Sequence, residues 1–248
     1  MELTYNWMAG LATVVLVIGV VVIGQSLVFR IPAIAKTRAF NNAQNKEKWR
    51  SKGEKYQYRI KSSQKLGLGI NLVFYIGTLP FIVTLEAQPV WKVLFNVFLI
   101  LMVYDFFYYL THRFAFHGKG YLRRVHAVHH QARSRVSSGD SLLLHPWEIF
   151  IGIALFYVVT VSMALLSGEP FNFVTIVISN VIYTQLNQIN HCRIDLDSFP
   201  WKTLNWIAIR HDAHHLDMHK GNYATITLLY DWLFGTVEKH PLELSKLR

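Results

Sequence analysis

The sequence predicts an all-α integral membrane protein, a helical bundle of about five spans with a histidine-rich cap on the cytoplasmic side. Three observations predict it. Hydrophobic residues make up 52% of the 248-residue chain, charged residues 16%, and mean hydropathy is +0.24. A soluble domain carries about a quarter charged residues, so intrinsic disorder and an ordinary soluble enzyme are excluded. Apolar runs of membrane-crossing length recur along the chain. All twelve histidines fall at or after position 112, and the topology derived below gathers them on one side.

Five apolar segments supply the spans. The first, Trp7 to Phe29, has no basic residue before it and no small-residue cleavage site after it, so it reads as a retained anchor rather than a signal peptide. The second, about Leu66 to Leu85, contains Pro80 as an expected kink. The third, Val90 to Thr111, follows after only Glu86-Ala87-Gln88-Pro89, which predicts a helical hairpin. The fourth, Trp147 to Ser167, and the fifth, about Phe171 to Ile189, are joined by Gly168-Glu169-Pro170.

Lys and Arg orient the bundle. The stretch from Arg30 to Lys65 holds eleven basic and two acidic residues, and that from His112 to Pro146 holds six and one. The two short connections hold no Lys or Arg. The bias puts 30–65, 112–146 and the chain after about 190 in the cytoplasm and the N-terminus outside. The net charge of +10 is explained by these loops. No nucleic-acid motif accompanies it, and nucleic acid is not an expected partner. One domain, 1–248, accounts for the chain. The single cysteine, Cys192, excludes an internal disulfide and any Cys-rich metal site.

The histidines are clustered. His126, His129 and His130 form one HxxHH triplet, and His211, His214 and His215 form another. Residues three and four apart share a helix face, so each triplet is expected to point one way. His112 and His117 are five apart, a poor match to one α-helical face, so the helix should end or distort between them. Eight imidazoles exceed the four that one zinc needs and suit two metals held close together. Imidazole alone does not choose among iron, zinc, copper and nickel. His145, before Pro146, is balanced between a ligand and a helix-start residue. His219 and His240 read as surface residues.

At these residues the chain resembles the fatty acid hydroxylase / sterol desaturase superfamily of membrane di-iron oxygenases. The carrying motifs are His112-Arg113…His117, His126-x-x-His129-His130, His145-Pro146-x-Glu148, and His211-Asp212-x-His214-His215 followed by Asn222-Tyr223, within about positions 100–225. The resemblance implies a cytoplasmic cap holding two iron ions, O2 as co-substrate and a lipid substrate; zinc is a possible misloaded occupant. It implies His112, His117, His126, His129, His130, His211, His214 and His215 as ligands. His191 falls where the family often places another histidine. Asn187 stands where related hydroxylases begin an HxxxH, which puts that tenth ligand in doubt.

Oxidising an unactivated C–H bond needs a redox metal, because side chains cannot do it. Neutral imidazoles suit the role, with outer acceptors orienting their second nitrogen. Candidate acceptors are Asp105, Asp140, Glu148 and Asp212. Asp105 lies inside the third span, where an ionisable residue is a functional hypothesis by default. Phe106, Phe107, Tyr108 and Tyr109 read as an interfacial belt. The chain shows no nucleotide fingerprint and no haem-domain motif, so two electrons per turnover must come from a separate donor. By the resemblance this is a cytochrome b5-like protein or a ferredoxin, drawn to the basic face. The expected activity is hydroxylation or desaturation of a sterol, fatty-acyl or related isoprenoid lipid. Alternatives on the same scaffold are sterol C4-methyl oxidation, towards which His145-Pro146-x-Glu148 leans, carotenoid hydroxylation and alkylglycerol cleavage. A zinc-dependent membrane hydrolase lacks its HExxH. A metal transporter would place ligands at mid-membrane. Compact length and the lack of a retention signal point to a bacterial inner membrane.

Overall fold

A computed structural model describes residues 3–241 except 134, 135, 195 and 197. Its helices are α1 (Trp7–Val28), α2 (Pro32–Ser51), α3 (Gly53–Gly77), α4 (Val90–Leu110), α5 (Tyr121–His126), α6 (Pro146–Ser167), α7 (Phe173–Ile189), α8 (Trp201–Leu216) and α9 (Leu229–Leu233). Among the described residues three helical stretches are long and apolar enough to cross a membrane: α1, α4 with the turn that follows it (Val90–Phe116), and α6.

Local chemistry sets the ends of these helices. Asn6 caps α1 by accepting from the Ala9 N–H (3.0 Å), and Asn172 caps α7 by accepting from the Val174 N–H (2.9 Å). Pro32 and Pro146 open α2 and α6, where the missing N–H costs nothing. Gly168 closes α6 in the left-handed conformation (φ 73°).

The stretch 30–65, expected as a loop, instead forms α2 and the first half of α3. Lys, Glu, Gln, Arg and Ala are good helix formers, and a polar helix differs from a loop only in propensity. The second span is corrected at both ends. Its helix starts at Gly53 and stops at Gly77, and Pro80 sits in a short 3₁₀ turn, Leu79–Phe81, instead of kinking a helix. The next residues pair with the segment before α7. Strands β1 (Val83–Thr84) and β2 (Phe171–Asn172) run parallel, with Val83 opposite Phe171 and Thr84 opposite Asn172. This two-residue ladder departs from a purely helical plan and ties the two connections together at the end remote from the histidines. α7 has 17 residues, or about 26 Å at 1.5 Å per residue, short of the ~30 Å core.

The main core lies where α3, α4, α6 and α7 meet. Phe74 stacks on Tyr157 (3.5 Å between centroids) and Phe156 on Tyr183 (4.4 Å), around the buried Ile100, Tyr104 and Ile176. Tyr157 also donates to the Asn71 side chain. A smaller core of Tyr56, Ile60, Ala132, Val136 and Leu143 roots the cap on α3. α1 packs along α7 and buries only Ala9, Gly10 and Thr13. The expected aromatic belt is divided: Phe107 is exposed, whereas Tyr108 lines an internal cavity and Tyr109 is fully buried against Phe234.

Candidate metal centre

Nine histidines converge in two groups. His112, His117, His126, His130 and His214 form one, and His129, His191, His211 and His215 the other. Within each group the ring nitrogens lie within 4.8 Å of one another. The groups adjoin, with His130 stacked on His215 at 4.8 Å between centroids.

Each group draws on several elements. α4 continues into a π-helical turn, Thr111–Phe116, in which the His117 N–H donates to the His112 carbonyl (3.0 Å). That i→i+5 geometry is the expected distortion, and it brings residues five apart into register. The triplets, however, do not each point one way. His126 and His130 serve the first group and His129 the second, because α5 ends at His126 and a 3₁₀ turn, His129–Gln131, reorients the chain. On α8, His214 joins the first group and His211 and His215 the second. At about 100° per residue, i+3 and i+4 straddle position i, so His214 and His215 aim to either side of it.

Backbone carbonyls fix most of the rings. The Nδ1 of His112 donates to the Tyr223 carbonyl (2.6 Å), that of His117 to Met218 (2.7 Å), His129 to Leu143 (3.3 Å), His191 to Asn187 (3.0 Å) and His214 to Gly221 (2.9 Å). His126 Nδ1 donates to Glu148 Oε1 (2.7 Å). A carbonyl only accepts, so the proton sits on Nδ1 and Nε2 presents a lone pair. Yet the Nε2 atoms of His129 and His191, both rings fixed by carbonyls, face each other at 3.2 Å, and those of His112 and His126 lie 2.9 Å apart. Two facing lone pairs repel. Two ligands ~2.1 Å from one shared ion and at right angles to each other lie about 3.0 Å apart. The donor set therefore fits two ions, one per group. Burial, then neighbouring imidazoles, holds His126, His130, His211 and His215 well below the usual histidine range. Burial above all pushes His117 down to about 4 and His129 and His214 to about 3. All seven are neutral and ready to bind at pH 7.

Other expected residues lie elsewhere. His145 caps α6, accepting from the Trp147 N–H (3.2 Å), and lies outside both groups. Asn187 is also outside the ring-nitrogen clusters: its carbonyl orients His191, and its side chain accepts from the Thr225 hydroxyl (2.9 Å). Of the four candidate acceptors, only Glu148 touches one of the nine clustered rings. Asp105 instead accepts from the N–H groups of Thr225, Ile226 and Thr227 and from the Thr227 hydroxyl. Asp212 accepts from the Val136 N–H and contacts His240 Nε2 (3.2 Å), so His240 is buried, contrary to its surface reading. Asp140 takes Lys48, Tyr56 and Ser137. His219 is exposed, as expected.

Sequence reasoning missed the scaffold that presents the Tyr223, Met218 and Gly221 carbonyls. Asn222 holds φ at 66°, and its amide donates to the Arg210 and Glu238 carbonyls (2.9 and 3.1 Å). Asp231 accepts from the Tyr223 and Ala224 N–H groups (both 2.8 Å). Asn tolerates positive φ, and Asn222 was the visible signal.

Below the rings lies a cavity of roughly 310 Å3, reached by His112 of one group and by His129, His191 and His211 of the other. Tyr104, Tyr108, Ile149 and Ile153 form much of its apolar wall.

A family model described as fatty acid hydroxylase matches residues 97–236. Very-long-chain aldehyde decarbonylase GL1-11 from Oryza sativa is 32% identical over 157 residues, covering 60% of this chain and 54% of the relative. Methylsterol monooxygenase 2-2 from Arabidopsis thaliana is 31% identical over 157 residues (60% and 54%). Cholesterol 25-hydroxylase-like protein 2 from Danio rerio is 31% identical over 159 residues (61% and 53%). The chain spans about half the length of the curated relatives it matches. These relatives are from plants and an animal, which lends no support to the expected bacterial inner membrane. No solved structure matches the chain.

Proposed function

Because this chain belongs to the fatty acid hydroxylase family, we propose that it is a membrane lipid oxygenase whose two histidine groups each hold one iron ion. The carrying observation is the convergence of nine buried or half-buried imidazoles at the top of an apolar cavity. When bound, the iron pair supplies the redox chemistry by which O2, two electrons and two protons oxidise a C–H bond and release water. The chain's own residues hold and shelter that centre. Glu148 and the backbone carbonyls keep the proton on Nδ1 and the lone pair on Nε2. Tyr104, Tyr108 and Ile149 exclude water and receive the apolar part of the lipid. Sterol and fatty-acyl lipids are the substrate class.

In this reading the apolar half of α3 and α7 join the three long apolar helices to give five crossings, and 1–248 acts as one domain. The Lys and Arg bias places the histidines on the cytoplasmic side. Lys119, Arg123 and Arg124, between the π turn and the end of α5, form a basic approach to the centre for an acidic electron-transfer protein. The test is metal content and oxygen transfer on the purified full chain. About two iron atoms per chain, with label from 18O2 appearing in an added lipid or in water only when a reductant is present, is the expected result. An iron-loaded chain that consumes no O2 with any lipid offered would overturn the proposal.

A further inference from the structure

The cavity beneath the histidines is unevenly sealed. On the α4 and α6 sides Tyr104, His112 and Ile149 are buried. Gln64 and Leu68 of α3 and Gln188 of α7 line the same cavity and are exposed, so it opens between α3 and α7. α1 leaves that gap clear. Just before α1, the Tyr5 hydroxyl donates to the Ile76 carbonyl at the far end of α3 (2.8 Å). At the histidine end, Gln25 of α1 donates to Gln185 of α7 instead (3.3 Å). The start of α1 is thus held to α3 at the far end, and its last turns to α7 at the histidine end.

The rim has its own chemistry. Gln64 stands just ahead of the apolar stretch of α3, and Gln188 is three residues before His191, about one helical turn or ~5 Å along the axis. Both amides are uncharged, and neither makes a hydrogen bond among the described residues. Among the described residues no Lys or Arg lines the cavity, and the one carboxylate that does, Glu148, is engaged with His126. Inside the cavity a charged head would meet no countercharge from these lining residues, whereas a neutral head would find two amides with no partner among the described residues. The cavity's roughly 310 Å3 is at the small end of the ~300–1,000 Å3 of small-molecule sites. It holds a segment of a lipid while the remainder stays in the bilayer.

We propose that the window between α3 and α7 selects lipids with a neutral, hydrogen-bonding head such as an alcohol, that Gln64 and Gln188 hold that head at the rim, and that the C–H bonds presented to the metal groups lie within a few carbons of it. The last clause rests on the oxygenase reading; the selection of the head is a binding property and is tested without turnover. The detergent-solubilised, metal-loaded full chain is titrated with radiolabelled 1-hexadecanol in competition with hexadecane and hexadecanoate, and with radiolabelled cholesterol in competition with cholestane. Each alcohol should bind about tenfold more tightly than its hydrocarbon, the scale of two neutral hydrogen bonds, and hexadecanol more tightly than the carboxylate. The double variant Gln64→Leu, Gln188→Leu should bind alcohol and hydrocarbon alike with metal content unchanged. Each single variant, expected to lose about threefold, serves if the double variant fails to load. Equal affinities in the wild type, no saturable binding of either alcohol, or a preference that survives both substitutions overturns the inference. A rim-dependent preference in a chain that consumes no O2 leaves it standing and removes the oxygenase reading; lipid oxidation with no rim preference does the opposite.

Discussion

Asp105 offers the most direct test of how the cap is held. Its Oδ1 accepts from the N–H groups of Thr225 (2.9 Å) and Ile226 (2.8 Å), and its Oδ2 from the N–H (3.1 Å) and hydroxyl (2.9 Å) of Thr227. Two residues before Thr225, the Tyr223 carbonyl holds His112 Nδ1. Thr225 itself is bound to Asn187 and Asn190, beside His191. Asp105→Ala would leave four donors without their acceptor at roughly 1–3 kcal/mol each. That sum rivals the whole ~5–15 kcal/mol stability of a domain, so the alanine variant should not accumulate folded. Asp105→Asn is the informative change. The amide oxygen keeps the Thr225 and Ile226 bonds, the Thr227 hydroxyl rotates to accept, and only the Thr227 N–H loses its partner, a cost of about 1–3 kcal/mol. Thermal unfolding in detergent and the rate of metal loss to a chelator should both report it: a lower midpoint and faster loss. If Asp105→Asn and Asp105→Ala both melt and release metal like the wild type, the latch is wrong.

The remaining tests address the centre directly. Glu148→Leu should weaken metal retention about 10- to 100-fold, the usual cost of losing an outer acceptor, and Glu148→Gln should retain most of it; identical chelator titrations of all three proteins would remove Glu148 from the centre. His130→Ala and His211→Ala act on different groups, so each should lower metal content from two towards one per chain and the pair should approach none. A single substitution that empties both groups would contradict the partition. In the metal-free protein, rings that stay neutral when folded take up protons near 6.5 when unfolded, while His117 resists to about 4 and His129 and His214 to about 3. The unfolded state therefore binds more protons between those limits, and stability should fall as pH drops below about 6.5 and keep falling towards 3–4. A melting temperature that stays flat from pH 7 to 5 would show that these rings are not held neutral.

Length and apolarity made α1, α4 and α6 legible almost to the residue, because few alternatives exist for twenty apolar residues. The polar α2 and the first half of α3 were illegible as helices, since a basic run looks the same in a loop. The histidine spacing pointed to the cluster because imidazoles at i, i+3 and i+4 must lie near one another. It did not show which ring serves which group, because that depends on the 3₁₀ turn at His129 and on the path of α8. The outer acceptors were the least legible feature. Five of the six ring orientations described are set by carbonyls, which every residue carries and no side-chain pattern reveals. Asp105 was singled out by its place in a span, and its role lay in a loop 120 residues away.

The division of each triplet between two groups bears on which changes in chain length the protein tolerates. His129 and His130 are adjacent yet serve different groups, as do His214 and His215. A residue inserted or deleted inside either triplet would rotate its later rings by about 100° on a helix and misdirect ligands of both groups together. The same change just ahead of α8, outside the triplet, would displace no ring relative to its neighbours on that helix. An indel within a triplet should therefore disturb both groups at once, whereas one between His112 and His117, which serve the same group, should disturb that group alone.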